Sequence, residues 1–498
     1  MTDLKSKTIK GVAWSSIETW ADQGISLLVF IVLSRLLAPK DFGLMALASI
    51  YMLAMQMVIK QGLTEAIVQK EKLENEHLDA VFWANLSAGV LLFAFTVAFS
   101  RWVAQLFGSA ELAGVIQWLS ATLLFSSLST VQNAVMQREM RYRSLAIRTG
   151  VAAVAGGAIA VVLALRGYGV WALVCYQIVY ALVGVMLLWR ASSWRPSFQF
   201  SRPHFREMFL FGVNIFAVNV IDVVNKRSDQ FLIGLHLGSS ALGYYSVATR
   251  FYQALMSIFV SPLSRVASST FSRMQDQPVQ FLQAFYKAIE LASVFAFPAF
   301  TGAYVLCPEL IALCFSPKWL ECVPVVRAFL VIGALYSVTF FHGAALRAMG
   351  KPNWHLGLVI LHVVTNVILY LAVVRHGIAA VAIASAVRAY AFLPADFLVL
   401  RKLMPIRLAE YWRRLRCQLL ASLGMAGAVL ASKAAGHEVL DWRLALALEV
   451  TVGALVYAGL IQLTHPKLMT EILGYRQSLR GTGQPGQPAV AGTTQSTH

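Results

Sequence analysis

The chain has 498 residues, 58% of them hydrophobic and only 13% charged, with a mean hydropathy of +0.65. A soluble protein of this length carries about twice that charged fraction, which excludes a water-soluble globular fold. Apolar stretches of about 20 residues, enough to cross hydrocarbon as a helix, recur along nearly the whole chain. The alternating ten-residue strands of a barrel do not, so the reading is an all-α polytopic membrane protein.

In chain order, hydropathy predicts about fourteen spans, near 11–36, 41–61, 79–100, 112–136, 145–165, 169–189, 207–236, 241–264, 284–306, 323–346, 353–374, 378–400, 416–434 and 443–463. The basic N-terminus MTDLKSKTIKGVAW leads into an apolar stretch too long for a signal-peptide core, with no cleavage site after it. It reads as a retained first helix. Cys175, Cys307, Cys314, Cys322 and Cys417 show no metal-ligand spacing and read as buried or idle thiols, with a Cys307–Cys322 pair as the alternative. No Gly-rich phosphate loop, HExxH or GxSxG occurs. The stretch 467–498, rich in Gly, Pro, Thr and Gln, has nothing to bury and is expected to be a disordered cytoplasmic tail.

The net charge of +17 could suggest nucleic acid, but its placement does not. With the N-terminus inside, 28 of the 41 Lys and Arg fall in inside segments and eight in outside loops. Five, Lys226, Arg227, Arg250, Arg327 and Arg388, fall within spans. The positive-inside rule then puts both termini in the cytoplasm. The flanking charges face anionic head groups, and no nucleic-acid partner is expected.

Sliding the chain against itself by 200 residues aligns LLAPKDFGLMALA (36–48) with HLGSSALGYYSVA (236–248) and matches Gly43 to Gly243, Leu37 to Leu237 and Asp22 to Asp222. The expected organisation is two six-helix lobes, 1–200 and 201–402, two additional helices within 403–466, and the tail. Paired repeats of this kind place transporter sites between them near the bilayer midplane.

The stretch NIFAVNVIDVVNKRSDQ (214–230) breaks the apolar pattern of the seventh span. A charge at the bilayer centre costs about 2.5–3.5 kcal/mol, so several together must face away from lipid. At 100° per residue Asn214, Asp222, Asn225, Lys226 and Asp229 share one sector about 120° wide, with Arg227 off it. The first helix repeats the device with Ser15, Glu18, Asp22 and Ser26, the eighth with Ser246, Arg250, Gln253 and Ser257, and the twelfth with Ser385, Arg388 and Asp396. Structural readings compete: Asp222 and Lys226 can neutralise each other, Arg327 can snorkel, and Glu290 with Lys287 reads as an interfacial pair. Buried guanidinium groups favour an anionic, phosphate-bearing ligand, and carboxylates at similar depth can exchange H⁺ or Na⁺. The combination suits an ion-coupled exporter.

The stretches GVAWSSIETWADQGISLLVFIVLSRLLAPKDFGLMALASIY, IVQKEKLENEHLDAVFWANL, DQFLIGLHLGSSALGYYSVATR, SPLSRVASSTFSRMQD and CFSPKWLECVPVVRAF resemble, in the same order, Wzx-type polysaccharide exporters of the colanic-acid branch. These belong to the multidrug/oligosaccharidyl-lipid/polysaccharide (MOP) superfamily, and the likeness covers residues 8 to about 400. It implies a V-shaped pair of lobes around a cationic cavity, working by alternating access. The implied cargo is an undecaprenyl-pyrophosphate-linked oligosaccharide, moved to the periplasmic leaflet for capsule, exopolysaccharide or O-antigen synthesis. Carried onto this sequence, Arg250, Arg388, Lys226 and Arg327, with Gln253 and Asn225 beside them, would hold the substrate. Asp22, Asp222, Asp229 and Glu18 would couple or gate, with H⁺ or Na⁺ as the ion and no other cofactor. The two extra helices would cradle the lipid tail. A monomer is expected, with membrane lipids and polysaccharide-synthesis proteins as further partners. The rivals are a cation or drug antiporter, which would want carboxylates and aromatics in place of Arg250 and Arg388, and a polymerase or ligase of lipid-linked glycans. The latter would need a large external loop, whereas the longest here, about 307–322, offers no paired acid and base.

Overall fold

The computed structural model describes residues 23–60, 62–436 and 441–464, and every regular element among them is helical. The helices are α1 (Gln23–Leu36), α2 (Pro39–Lys60), α3 (Leu63–Gln69), α4 (Asn75–Leu106), α5 (Ala110–Leu119), α6 (Ala121–Arg138), α7 (Tyr142–Leu165) and α8 (Val170–Ala191). They continue with α9 (Arg202–Phe259), α10 (Ser261–Arg273), α11 (Pro278–Val305), α12 (Cys307–Phe315), α13 (Val323–Ala348), α14 (Pro352–Val373), α15 (Ile378–Ala391), α16 (Leu393–Leu403), α17 (Leu408–Gly436) and α18 (Trp442–Thr464). Among the described residues, eleven segments are long and apolar enough to cross a membrane. The three remaining expected spans are α1, of which only the part from Gln23 is described, and the two arms of α9. The tail from 467 lies outside the described residues.

Large apolar side chains such as Leu91, Phe95, Phe99, Val154 and Leu455 are exposed on the outer faces, where lipid, not water, is their solvent. Inside, the main core runs from Leu33 and Leu47 through Tyr245 to Phe300 and Trp319. Helices α2 to α8 pack on one another, as do α9 to α15, and α2 against α9 is the most extensive contact joining the two groups. Helix α17 lies on α11 and α18 on α17. Glu290, nearly fully buried on α11, takes Arg414 of α17 as an ion-pair partner at 3.1 Å. This bridge docks the added helices.

Helix α9 is a hairpin. Gly238 has φ 81° and ψ −178°, a conformation that only glycine adopts at little cost. The Tyr245 hydroxyl donates to the Asp229 carboxylate at 2.7 Å, whereas residues 16 apart on a straight helix lie about 24 Å apart. The expected pair of spans 207–236 and 241–264 therefore folds back at Gly238, with the second arm ending at Phe259 ahead of a Pro262 turn. The twelfth expected span runs as one apolar segment, α15 and α16, with only Phe392 between them and hydrogen bonds from Phe392 to Arg388 and from Asp396 to Phe392 carrying the helix across.

The contact between α2 and the second arm of α9 is reciprocal. A Cβ on Gly43 would overlap the Ser239 carbonyl, and one on Gly243 would overlap the Pro39 carbonyl. Pro39 and Ser239, like Gly43 and Gly243, are 200 residues apart, so the contact is self-complementary in the register of that sequence match. The segment 307–322 seals the same end. It forms α12 and a 3₁₀ turn, with the Trp319 indole donating to the Ser34 carbonyl at 2.8 Å and Lys318 Nζ to the Leu37 carbonyl at 2.7 Å. Arg35 reaches back to the Cys314 and Leu313 carbonyls. Cys307 and Cys322 are both buried free thiols, so the alternative of a disulfide does not hold. Trp319→Phe keeps most of the ring but strands the Ser34 carbonyl. It is expected to lower stability by about 1–3 kcal/mol, measurable as a fall in the thermal midpoint of the detergent-solubilised protein.

Candidate functional site

Beneath this sealed end lies a cavity in three connected sections. The first, about 400 Å³, is lined by Phe30, Met45, Ser49, Gln177, Tyr180, Arg227, Gln230, Arg250 and Gln253, among others. It shares Met45, Ser49, Gln177, Tyr180 and Arg227 with a section of about 700 Å³ that adds Arg148 and reaches Lys60, Glu65 and Gln137 at the opposite end. It shares Arg250 and Gln253 with one of about 640 Å³ that reaches Ser261 and Pro262. Both wider sections thus run to the ends of α2, α6 and α9 remote from Gly43, Gly243 and Trp319.

Three guanidinium groups are spaced along this path. The Arg250 guanidinium lies over the Phe30 ring, 5.8 Å from its centroid. Arg227 donates to Gln230 Oε1 at 2.7 Å. Arg148 packs on the Gly184 backbone, where a Cβ would come within 3.3 Å of its Nε, and its buried Nε has no hydrogen-bond partner among the described residues. Neither Arg148 nor Arg227 is in an ion pair among those residues. Guanidinium groups left without carboxylates in a polar, water-accessible cleft are bidentate sites for an anion's oxygens.

The other residues of the expected site are dispersed. Lys226 pairs with Asp222 at 2.7 Å on a face where both side chains are half exposed or more. Asn225 accepts from Asn366 Nδ2 of α14 at 3.2 Å. Asp229 turns into the hairpin toward Tyr245, so the polar stripe is shared among a surface pair, the α14 contact and the hairpin interior. Arg227 is expected off that stripe, yet with Gln230 it lines the cavity from this arm. Arg388 is 8% exposed on α15, over the Phe392 ring, with Nε and Nη1 unpartnered among the described residues. It borders an apolar groove formed with Ile368 and Leu369 of α14. Its neighbour Ser385 donates to the Tyr370 hydroxyl at 3.0 Å. Asp396 sits 3.4 Å from His362. Arg327 lies over the Tyr304 ring at 5.4 Å. Glu18 and Asp22 lie outside the described residues.

Sequence reasoning passed over Arg148, Gln177, Tyr180 and Gln230. Arg148 sits two turns into α7, where hydropathy counts it as a flanking cytoplasmic charge. Only the packing of α7 against α8 turns it inward.

A polytopic membrane protein, with helix groups joined at one end around a cationic cavity reaching the other, is the class these observations define. The chain belongs to the polysaccharide biosynthesis protein family, whose profile matches residues 32–324. It is 27% identical over 323 residues to the succinoglycan biosynthesis transport protein ExoT of Rhizobium meliloti, a match spanning 65% of this chain and 65% of that relative. To the lipopolysaccharide biosynthesis protein WzxC of Escherichia coli K12 it is 24% identical over 353 residues, 70% of this chain and 72% of that one. Among solved structures, the lipid II flippase MurJ in its inward closed conformation superposes with a TM-score of 0.77 at 15% identity, covering 91% of this chain and 99% of that one. At that identity the likeness is one of fold.

Proposed function

We propose that this chain is a flippase that carries an undecaprenyl-pyrophosphate-linked oligosaccharide from the cytoplasmic to the periplasmic leaflet of a bacterial inner membrane. The observation that carries the reading is the line of Arg148, Arg227 and Arg250 along one cavity. A pyrophosphate offers the oxygens such a line can hold, and the polar Gln177, Tyr180 and Gln253 suit a sugar. With both termini cytoplasmic, the end sealed by Gly43, Gly243 and Trp319 faces the periplasm and the cavity opens to the cytoplasm. Loading precedes a rocking of lobe 1–200 against lobe 201–402 that opens the sealed end. Helices α17 and α18 flank the polyprenyl tail. Arg250 and Gln253 hold cargo in this state, while Lys226, Asn225, Arg327 and Arg388 would engage it only after α9, α14 and α15 rearrange. Asp229, with Glu18, Asp22 and Asp222, would couple the cycle to H⁺ or Na⁺.

The test is mass spectrometry of polyprenyl-linked glycans from cells depleted of the protein. One undecaprenyl-pyrophosphate oligosaccharide should accumulate on the cytoplasmic leaflet. New sensitivity to cationic drugs without such accumulation would move the reading to a drug antiporter.

A further inference from the structure

Outside the cavity, the open end carries a cluster that the transport reading does not use. Glu74 caps α4 and His77 follows one turn later; His204 and Glu207 are one turn apart at the start of α9. The two i,i+3 pairs interlock across the helices. His204 Nε2 lies 3.3 Å from Glu74 Oε2, and His77 Nε2 lies 3.3 Å from Glu207 Oε2. The imidazole rings meet at 75° with centroids 4.3 Å apart. Ligand atoms of Glu74, His77 and His204 all fall within 4.8 Å of one another.

We infer that Glu74, His77 and His204 form a binding site for a divalent cation of the zinc class, which clamps the start of α4 to the start of α9. The site is completed when the Glu207 carboxylate beside His77 swings in as fourth ligand. Tetrahedral zinc with bonds of about 2.0–2.1 Å holds its ligands about 3.3 Å apart, the spacing both cross-helix pairs already have. Two imidazoles with two carboxylates is a borderline donor set that favours zinc over calcium or magnesium. A supporting shell is present, since the Ser201 hydroxyl is hydrogen-bonded to His204 Nδ1 and fixes that ring with Nε2 inward. His77 Nδ1 faces the Glu74 amide at 3.3 Å, so in the metal-free protein the ring proton sits on Nε2. Metal takes the Nε2 lone pair, the proton moves to Nδ1, and the long amide contact is given up. Lys70 competes, because its ammonium pairs with the other oxygen of Glu207.

The clamp would tie the first arm of α9 to α4, at the end of that arm opposite the Gly238 turn.

The experiment is a Co²⁺ titration of the full-length, untagged protein in nanodiscs, followed by displacement with Zn²⁺. One equivalent should give the visible bands of tetrahedral cobalt, abolished by Zn²⁺. His204→Ala should weaken binding about 100-fold or more, and Ser201→Ala about 10-fold, each with an unchanged size-exclusion profile. Lys70→Ala should bind tighter, because it frees a Glu207 oxygen, a gain that a purely structural ion-pair cluster would not give. Binding unchanged in the doubly substituted H77A/H204A protein, octahedral cobalt only, or no tightening in Lys70→Ala would each overturn the site. None of these readouts depends on transport.

Discussion

Arg250→Gln is expected to cut export of the lipid-linked glycan about 10- to 100-fold while leaving the protein's abundance in the membrane near normal. A hydrogen bond to a charged group contributes about 1.5–3 kcal/mol, and each 1.4 kcal/mol is a factor of about ten. Arg227→Gln should behave alike, because Arg227 borders the same section of cavity and its one described polar partner is neutral Gln230. The double variant should lose more than either single one. Arg250→Lys should fall between, since it keeps the charge but loses the two-pronged geometry. Both readouts are accessible in one strain, as glycan export per cell and immunoblot of the membrane fraction. Full export by both single variants would remove the arginines from the substrate path. Loss of the folded protein would instead mark them as internal pairing groups.

Gly243→Leu is expected to prevent the sealed end from closing. Any Cβ at Gly243 meets the Pro39 carbonyl, and the obstacle is backbone, which cannot rotate away. Overpacking of this kind costs about 1–3 kcal/mol even where neighbours can yield, enough to shift a two-state balance about 5- to 150-fold. Gly43→Leu should give the same result through Ser239. Spin labels at the exposed positions Lys40 and Ser240 would report it. The wild type should show a short distance, and Gly243→Leu a longer one with export lost. A short distance in both variants would mean that this contact does not gate the cavity.

These two predictions also mark how far the sequence was legible. Gly43 and Gly243 stood out as a repeat register, and the structure turns that register into a contact. A shift of 200 residues cannot, however, say that equivalent glycines touch. Helical periodicity denied lipid to the stretch 214–230 because burying charge in hydrocarbon is expensive, yet Asp222 and Lys226 stay on an exposed face as a mutually neutralising pair. It did not distinguish among a cavity, a hairpin partner and a neighbouring helix, which are all non-lipid surroundings. Asp229 thus went to Tyr245 and Asn225 to Asn366, while Arg227 took the cavity. Arg148 was lost to a boundary: within the first turns of a span, an arginine that snorkels and one that points inward have the same hydropathy. The segment 307–322 read as a loop because short helices bounded by Pro308 and Pro317 carry little periodic signal. Trp319, fully buried there, was the residue that could have indicated a packed structure.

The most direct measurement of the central claim is translocation in proteoliposomes carrying purified protein and two fluorescent polyprenyl cargoes, one with a pyrophosphate-linked oligosaccharide and one with the same sugar on a neutral linkage. The account predicts rapid movement of the pyrophosphate form alone, lost in the R227Q/R250Q protein. Equal movement of the neutral form, or undiminished movement by the double variant, would contradict a cavity built to carry an anion.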